Sequence, residues 1–143
     1  MGPYALVVLV NVLEHIDADV VFLRNIQPLL SHHVELVIFS PAHNVLYSRF
    51  DAAIGHVRRY TKRQLVQTVV EAGFKPVEIR YFNSLGAILW FVVNRLLRVS
   101  SASSSSTKLY DRAIVPFSII VDKIRIRPFG QSVLARSISS NHE

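Results

Sequence analysis

The chain has 143 residues, half of them apolar, with 16 Lys and Arg against 10 Asp and Glu and no cysteine. Disorder is excluded, because it requires low hydrophobicity and this composition is at or above the globular average. Disulfides, thiolate zinc sites and cysteine nucleophiles are excluded too.

The charge is uneven: residues 1–51 carry 2 basic and 5 acidic groups, and residues 52–143 carry 14 and 5. The basic residues come singly or in pairs, the pattern of a solvated basic face, and no helix carries a basic recognition stripe, so no nucleic-acid partner is expected. The longest uncharged stretch of the second half, between Arg80 and Arg95, is shorter than the ~20 residues a helix needs to cross a bilayer. The uncharged opening lacks the basic region of a secretory signal, and Leu6 stands where a myristoylation motif needs Ser or Thr. A cytoplasmic protein is expected, with peripheral membrane contact as the alternative.

In chain order, Ala5–Val10 is a continuous aliphatic run, the pattern of a central strand covered on both faces. Val20, Val21, Leu23, Arg24 and Ile26 have helical spacing, with Asp17 or Asp19 as N-cap and Pro28 as a stop. Val34–Phe39 is the next strand, and the strand–helix–strand unit predicts a right-handed crossover between parallel neighbours. Residues 40–60 show no period, but Leu46, Tyr47, Phe50, Ile54 and Val57 anchor a loop long enough to be functional. Thr61 and Gln64 form a capping box, Leu65, Val66, Val69 and Val70 make a buried face, and Gly73 caps the helix end. Val77–Asn83 and Val133–Ile138 are the last strands. Between them, residues 84–128 read as a helical insertion: an apolar helix over 84–99, a Ser-rich linker over 100–107, and a second helix over 110–127.

Ligands of open α/β sheets bind beyond the carboxyl ends of the strands, so the informative segments are residues 11–17 and 40–60. They contain N-V-L-E-H-I-D, then P-A-H-x-x-L-Y and D-x-x-x-G-H-x-R-R-Y-T leading into T-x-x-Q-L and E-A-G-F. In order and spacing these motifs resemble the C-terminal half of a class I S-adenosylmethionine-dependent methyltransferase, of the small-molecule kind that includes quinone-ring methylating enzymes. The likeness covers residues 4–83 closely and the last strand by element order. It implies an α/β fold: a partial Rossmann-like sheet equivalent to the family's strands four to seven, with flanking helices, over residues 1–143. The family's glycine-rich cofactor loop and the acidic residue ending its second strand have no counterpart here, and Ser31, His32 and His33 replace a glycine turn before the fifth strand. The implied cofactor is S-adenosylmethionine, with poor affinity for this chain alone.

By that resemblance, Asn11 and the backbone of Val12 and Leu13 flank the cofactor's methionine end, and Glu14 and His15 line the same crevice. The competing and stronger reading of Glu14 and His15 is a helix-entry pair serving nearby amides. In the loop, the flexible turn at Gly55 makes His56 the expected base, with Asp51 or His43 as accessory, because a histidine suits proton removal near neutral pH. Tyr47, Arg58, Arg59 and Tyr60 are the expected substrate contacts; the competing reading has the tyrosines anchoring the loop and the arginines solvated or paired with Asp51. No metal is expected: adjacent His32 and His33 diverge, and a ligand pair would need His15 or His43 brought in by the fold. The expected function is a methyltransferase fragment, or shortened relative, acting on a small or lipid-like molecule. The alternative is a non-catalytic half-domain that binds a partner chain, or its own copy, at an exposed sheet edge, or that binds an anionic membrane surface.

Overall fold

A computed structural model describes residues 4–83, 87 and 129–139. Four strands form one sheet: β1 (Tyr4–Val10), β2 (Leu30–Pro41), β3 (Phe74–Phe82) and β4 (Ser132–Ser139), in the order β1-β2-β4-β3. β1 and β2 are parallel, and β4 runs antiparallel to both β2 and β3. The parallel pairing of β1 and β2 is the one expected from the strand–helix–strand unit. The expected crossover is present, with helix α1 (Asp19–Ile26) between the parallel pair. The ladder slips between the pairs Tyr4–Leu30 and Leu6–Glu35, placing the irregularity at the segment that contains Ser31, His32 and His33.

Strand periodicity decides the core. On one face Val7 and Leu9 of β1 align with buried Leu36 and Ile38 of β2, which in turn oppose Ser137 and Ala135 of β4. Leu23 of α1 and Leu65 and Val69 of α3 (Lys62–Glu71) join this cluster, with Tyr60 and Phe74. The α3 face differs from the sequence expectation. Thr68 and Val69 are buried and Val70 is 52% exposed, because the stripe follows positions 65, 68, 69 and 72.

β1 is an edge strand of the described sheet rather than a central one, and Leu6, Val8 and Val10, alternating on its other face, are each about half exposed. The N-cap of α1 is Ala18, which makes no side-chain cap bond. Asp19 lies one residue inside the helix, where its Oδ1 accepts from the Val20 amide and its Oδ2 serves the 56–60 segment. Pro28 ends α1 as expected, in a short 3-10 turn over Gln27–Leu29. Thr61 and Gln64 make the reciprocal capping box, and Gly73 takes a φ of +85° at the end of α3. The expected helices and Ser-rich linker of residues 84–128 fall outside the described residues, apart from Ala87.

Residues 40–60 are more regular than their sequence suggests. A 3-10 turn at Asn44–Leu46 leads into a short helix α2 (Arg49–Ala53), capped reciprocally by Ser48 and Asp51. A single parallel bridge joins Ala42 to Tyr60 and returns the loop to the sheet.

Candidate active site at the carboxyl ends of the strands

Beyond the carboxyl ends of β1 and β2 lies an open cleft of about 540 Å³, lined by Asn11, His15, Phe39, Phe50, His56 and Arg59, among others. β4 contributes through Gln131 and Ser132, because an antiparallel strand begins where its neighbours end. A Cβ at Gly130 would collide with the Phe82 carbonyl, so glycine is required for the chain to enter β4 there. Asn11 ends β1 with a φ of +51°, which asparagine tolerates better than most residues, and its amide donates to the Phe39 carbonyl.

The next residues form a 3-10 turn, Leu13–His15, that aims Glu14 inward and His15 outward. Glu14 is fully buried; its Oε2 accepts a 2.7 Å hydrogen bond from the Ser40 hydroxyl, while its Oε1 has no hydrogen-bond partner. That oxygen lies 3.7 Å from His56 Nε2, too far for a hydrogen bond.

The loop carries a buried polar network. Asp51 Oδ1 lies 2.9 Å from His56 Nδ1 and accepts from Arg59 Nε, while Oδ2 accepts from Arg59 Nη2 and from the Ser48 amide and hydroxyl. Burial alone would push the Asp51 carboxyl up, but the His56 hydrogen bond, the Arg59 charge and the Ser48 amide outweigh it and hold the carboxyl below its usual range. A carboxylate accepts only, so the neutral His56 ring carries its proton on Nδ1 and presents Nε2 as the free lone pair. The same reasoning applies to His15, whose Nδ1 lies 3.0 Å from the Gly55 carbonyl. The two rings meet edge to face with centroids 4.7 Å apart.

The other expected site residues are placed as follows. Val12 is half-buried and Leu13 is fully buried in the core. Tyr47 donates to the His56 carbonyl at 2.6 Å. Tyr60, 2% exposed, donates to Asp19 at 2.8 Å, and burial and that carboxylate push its hydroxyl pKa far up. Arg58 pairs with Asp19 at 3.0 Å and bonds the Asp17 carbonyl, so it ties the loop to the start of α1. Arg59 is spent on Asp51. His43 has a φ of +61° and packs on Tyr81 at 4.6 Å between ring centroids, outside the cleft lining; burial and the Arg59 charge lower its pKa. Val57 faces solvent, and its amide donates to the Glu14 carbonyl. Sequence reasoning marked the segment that begins at Ser40 without giving that residue a role, and missed Phe39, Gln131 and Ser132. The signal for the last two was the antiparallel direction of the closing strand.

No family model matches the sequence, and no curated protein matches it. Solved structures do. A Bacillus halodurans protein described as a methyltransferase matches with a TM-score of 0.54 at 17% identity, over 96% of this chain and 70% of its own. A SAM-dependent methyltransferase from Archaeoglobus fulgidus matches with a TM-score of 0.54 at 19% identity, over 96% of this chain and 60% of its own. The cyclase SpnF matches with a TM-score of 0.56 at 12% identity, over 96% of this chain and 50% of its own. The chain thus spans between half and 70% of these structures. With the strand order and the site at the strand ends, they establish that the fold is that of the class I SAM-dependent methyltransferases.

Proposed function

We propose that this chain supplies the acceptor-activating part of a SAM-dependent methyltransferase, and that His56 is its base. The single observation that supports this most is the Asp51–His56 pair, at 2.9 Å, on the wall of an open cleft beyond the strand ends. S-adenosylmethionine, when bound, brings an electrophilic methyl on a sulfonium. The chain's share is to orient the acceptor and take its proton. Asp51 fixes the tautomer and orientation of His56, and Arg59 fixes Asp51, so Nε2 is held ready to receive a proton. With the donor bound, methyl transfer to the acceptor would release sulfur as a neutral thioether, and His56 Nε2 would hold the acceptor's proton.

The residues present fit only one end of the cofactor. Asn11 and the backbone of Val12 and Leu13, after β1, would serve its methionine part, while nothing in the 143 residues matches a Gly-x-Gly nucleoside loop. The cleft volume lies within the range of small-molecule pockets, and Phe39, Phe50 and Ile54 supply apolar walls beside the polar wall of His56 and Arg59. That mixture supports a small or amphiphilic acceptor.

Calorimetric titration of the chain with S-adenosylmethionine tests the half-site. The expected result is binding weaker than micromolar, and micromolar binding would refute it. A second reading, a non-catalytic half-domain that binds a partner chain, is supported by the exposed Leu6, Val8 and Val10 on an edge strand. Light scattering separates the two: a monomer at high concentration opposes the second. Among the described residues no helix is long and apolar enough to cross a membrane.

A further inference from the structure

We propose that Glu14, His15 and His56 form a site for one divalent transition-metal ion of the zinc or ferrous class, opening into the cleft. A ring nitrogen of each histidine and a carboxylate oxygen of Glu14 lie within 4.8 Å of one another. Two ligands sharing a tetrahedral zinc ion sit about 3.4 Å apart, given Zn–N and Zn–O bonds of about 2.1 Å. The 3.7 Å between Glu14 Oε1 and His56 Nε2 is close to that spacing, and the His15 nitrogen, within 4.8 Å of both, would have to move inward to complete it.

Three independent features point to a cation. First, Glu14 Oε1 is buried and without a hydrogen-bond partner, a costly arrangement for a carboxylate oxygen whose nearest cation candidate, His56 Nε2, stands 3.7 Å away. Second, Nδ1 of each histidine is committed to an oxygen, His15 to the Gly55 carbonyl and His56 to Asp51, which leaves both Nε2 lone pairs free. This is the outer-shell pattern of metal-ligating histidines, and carboxylate–histidine pairing also raises the basicity of the ligand. Third, His15 is exposed while Glu14 is fully buried, so an ion has a route in and a dry side to rest against.

Two imidazoles and one carboxylate suit zinc or ferrous iron better than magnesium or calcium, which prefer all-oxygen ligands. Three protein ligands leave coordination positions open to the cleft, where an acceptor oxygen would be polarised. With the ion bound, His56 Nε2 is a ligand, and coordination takes over the activation of the acceptor that the ring performs alone. The site does not depend on the transferase reading, because ion binding is measured without any methyl donor.

The test is titration of chelator-treated protein with Zn²⁺ by calorimetry and with Co²⁺ by visible absorption. One ion per chain is expected, with affinity lowered at least tenfold in His15→Ala and in Glu14→Gln, and unchanged in a His32→Ala/His33→Ala variant. His15→Ala is the decisive variant, because that side chain is exposed; a native far-UV circular dichroism spectrum confirms its fold. Asp51→Asn is expected to weaken binding about 10- to 100-fold through the His56 ring. No saturable binding, or binding of equal strength in wild type and in folded His15→Ala, would overturn the proposal.

Discussion

Asp51 is the most heavily used side chain of the loop, and its removal is the sharpest test of how the site is held. In Asp51→Ala, Arg59, 4% exposed, loses the carboxylate that takes its Nε and Nη2 protons, and Ser48 loses its capping partner. Breaking one half of a buried ion pair costs about 3–5 kcal/mol, and loss of the cap adds about 1 kcal/mol. In urea, with a slope of about 2 kcal/mol per molar for a domain this size, the unfolding midpoint falls by ~2–3 M. Arg59→Met should cost somewhat less, because Asp51 loses its buried cation but keeps the His56 ring and the Ser48 amide and hydroxyl. The double variant removes both charges together, so it should be less destabilised than the sum of the singles by about 2 kcal/mol or more. Urea unfolding followed by circular dichroism gives all three values. Additivity within ~0.5 kcal/mol would refute the claim that the pair works as one buried unit.

Other substitutions probe the frame around the cleft. Tyr60→Phe removes the hydrogen bond to Asp19 but leaves Arg58 on that carboxylate, so a loss of about 1 kcal/mol by chemical denaturation is expected. Gly73→Ala places a Cβ at a φ of +85° and within 2.8 Å of the Gln27 side chain, and should cost about 1–2 kcal/mol. Leu65→Ala empties a fully buried position and should cost about 2–5 kcal/mol by the same assay. The lowered pKa of His43 means that the unfolded chain takes up a proton before the folded one as pH falls below about 6.5. Stability should therefore drop on acidification from pH 7 to 5, and His43→Asn should flatten that slope in thermal melts; an unchanged slope would contradict the assignment.

Much of the frame was legible because strong local signals agreed with the tertiary result. The aliphatic run from Ala5 to Val10, the Thr61–Gln64 box and Gly73 each have a local physical cause that the packed structure leaves in force. The short helix at Arg49–Ala53 was not legible from periodicity, since five residues are too few to show one. Its Ser48–Asp51 cap was the available signal. Burial on α3 was misjudged at Val70 because four similar apolar residues at 65, 66, 69 and 70 leave the phase of the stripe open, and Thr68 decides it. At the site, His56 and Asp51 stand five positions apart and were singled out together, but the place of Glu14 depends on contacts with Ser40 and His56 across 26 and 42 positions of chain, which no local pattern encodes. Arg58 and Tyr60 looked like substrate contacts because they adjoin His56 in sequence; the chain direction there turns both toward Asp19.

The central claim is that the cleft after β1 and β2 receives a methyl donor and its acceptor, and amide chemical-shift mapping with S-adenosylhomocysteine tests it most directly. At millimolar ligand, shifts should concentrate at Asn11–His15 and at Gly55 and His56. Shifts confined to other surfaces, or none at saturating solubility, would contradict the account.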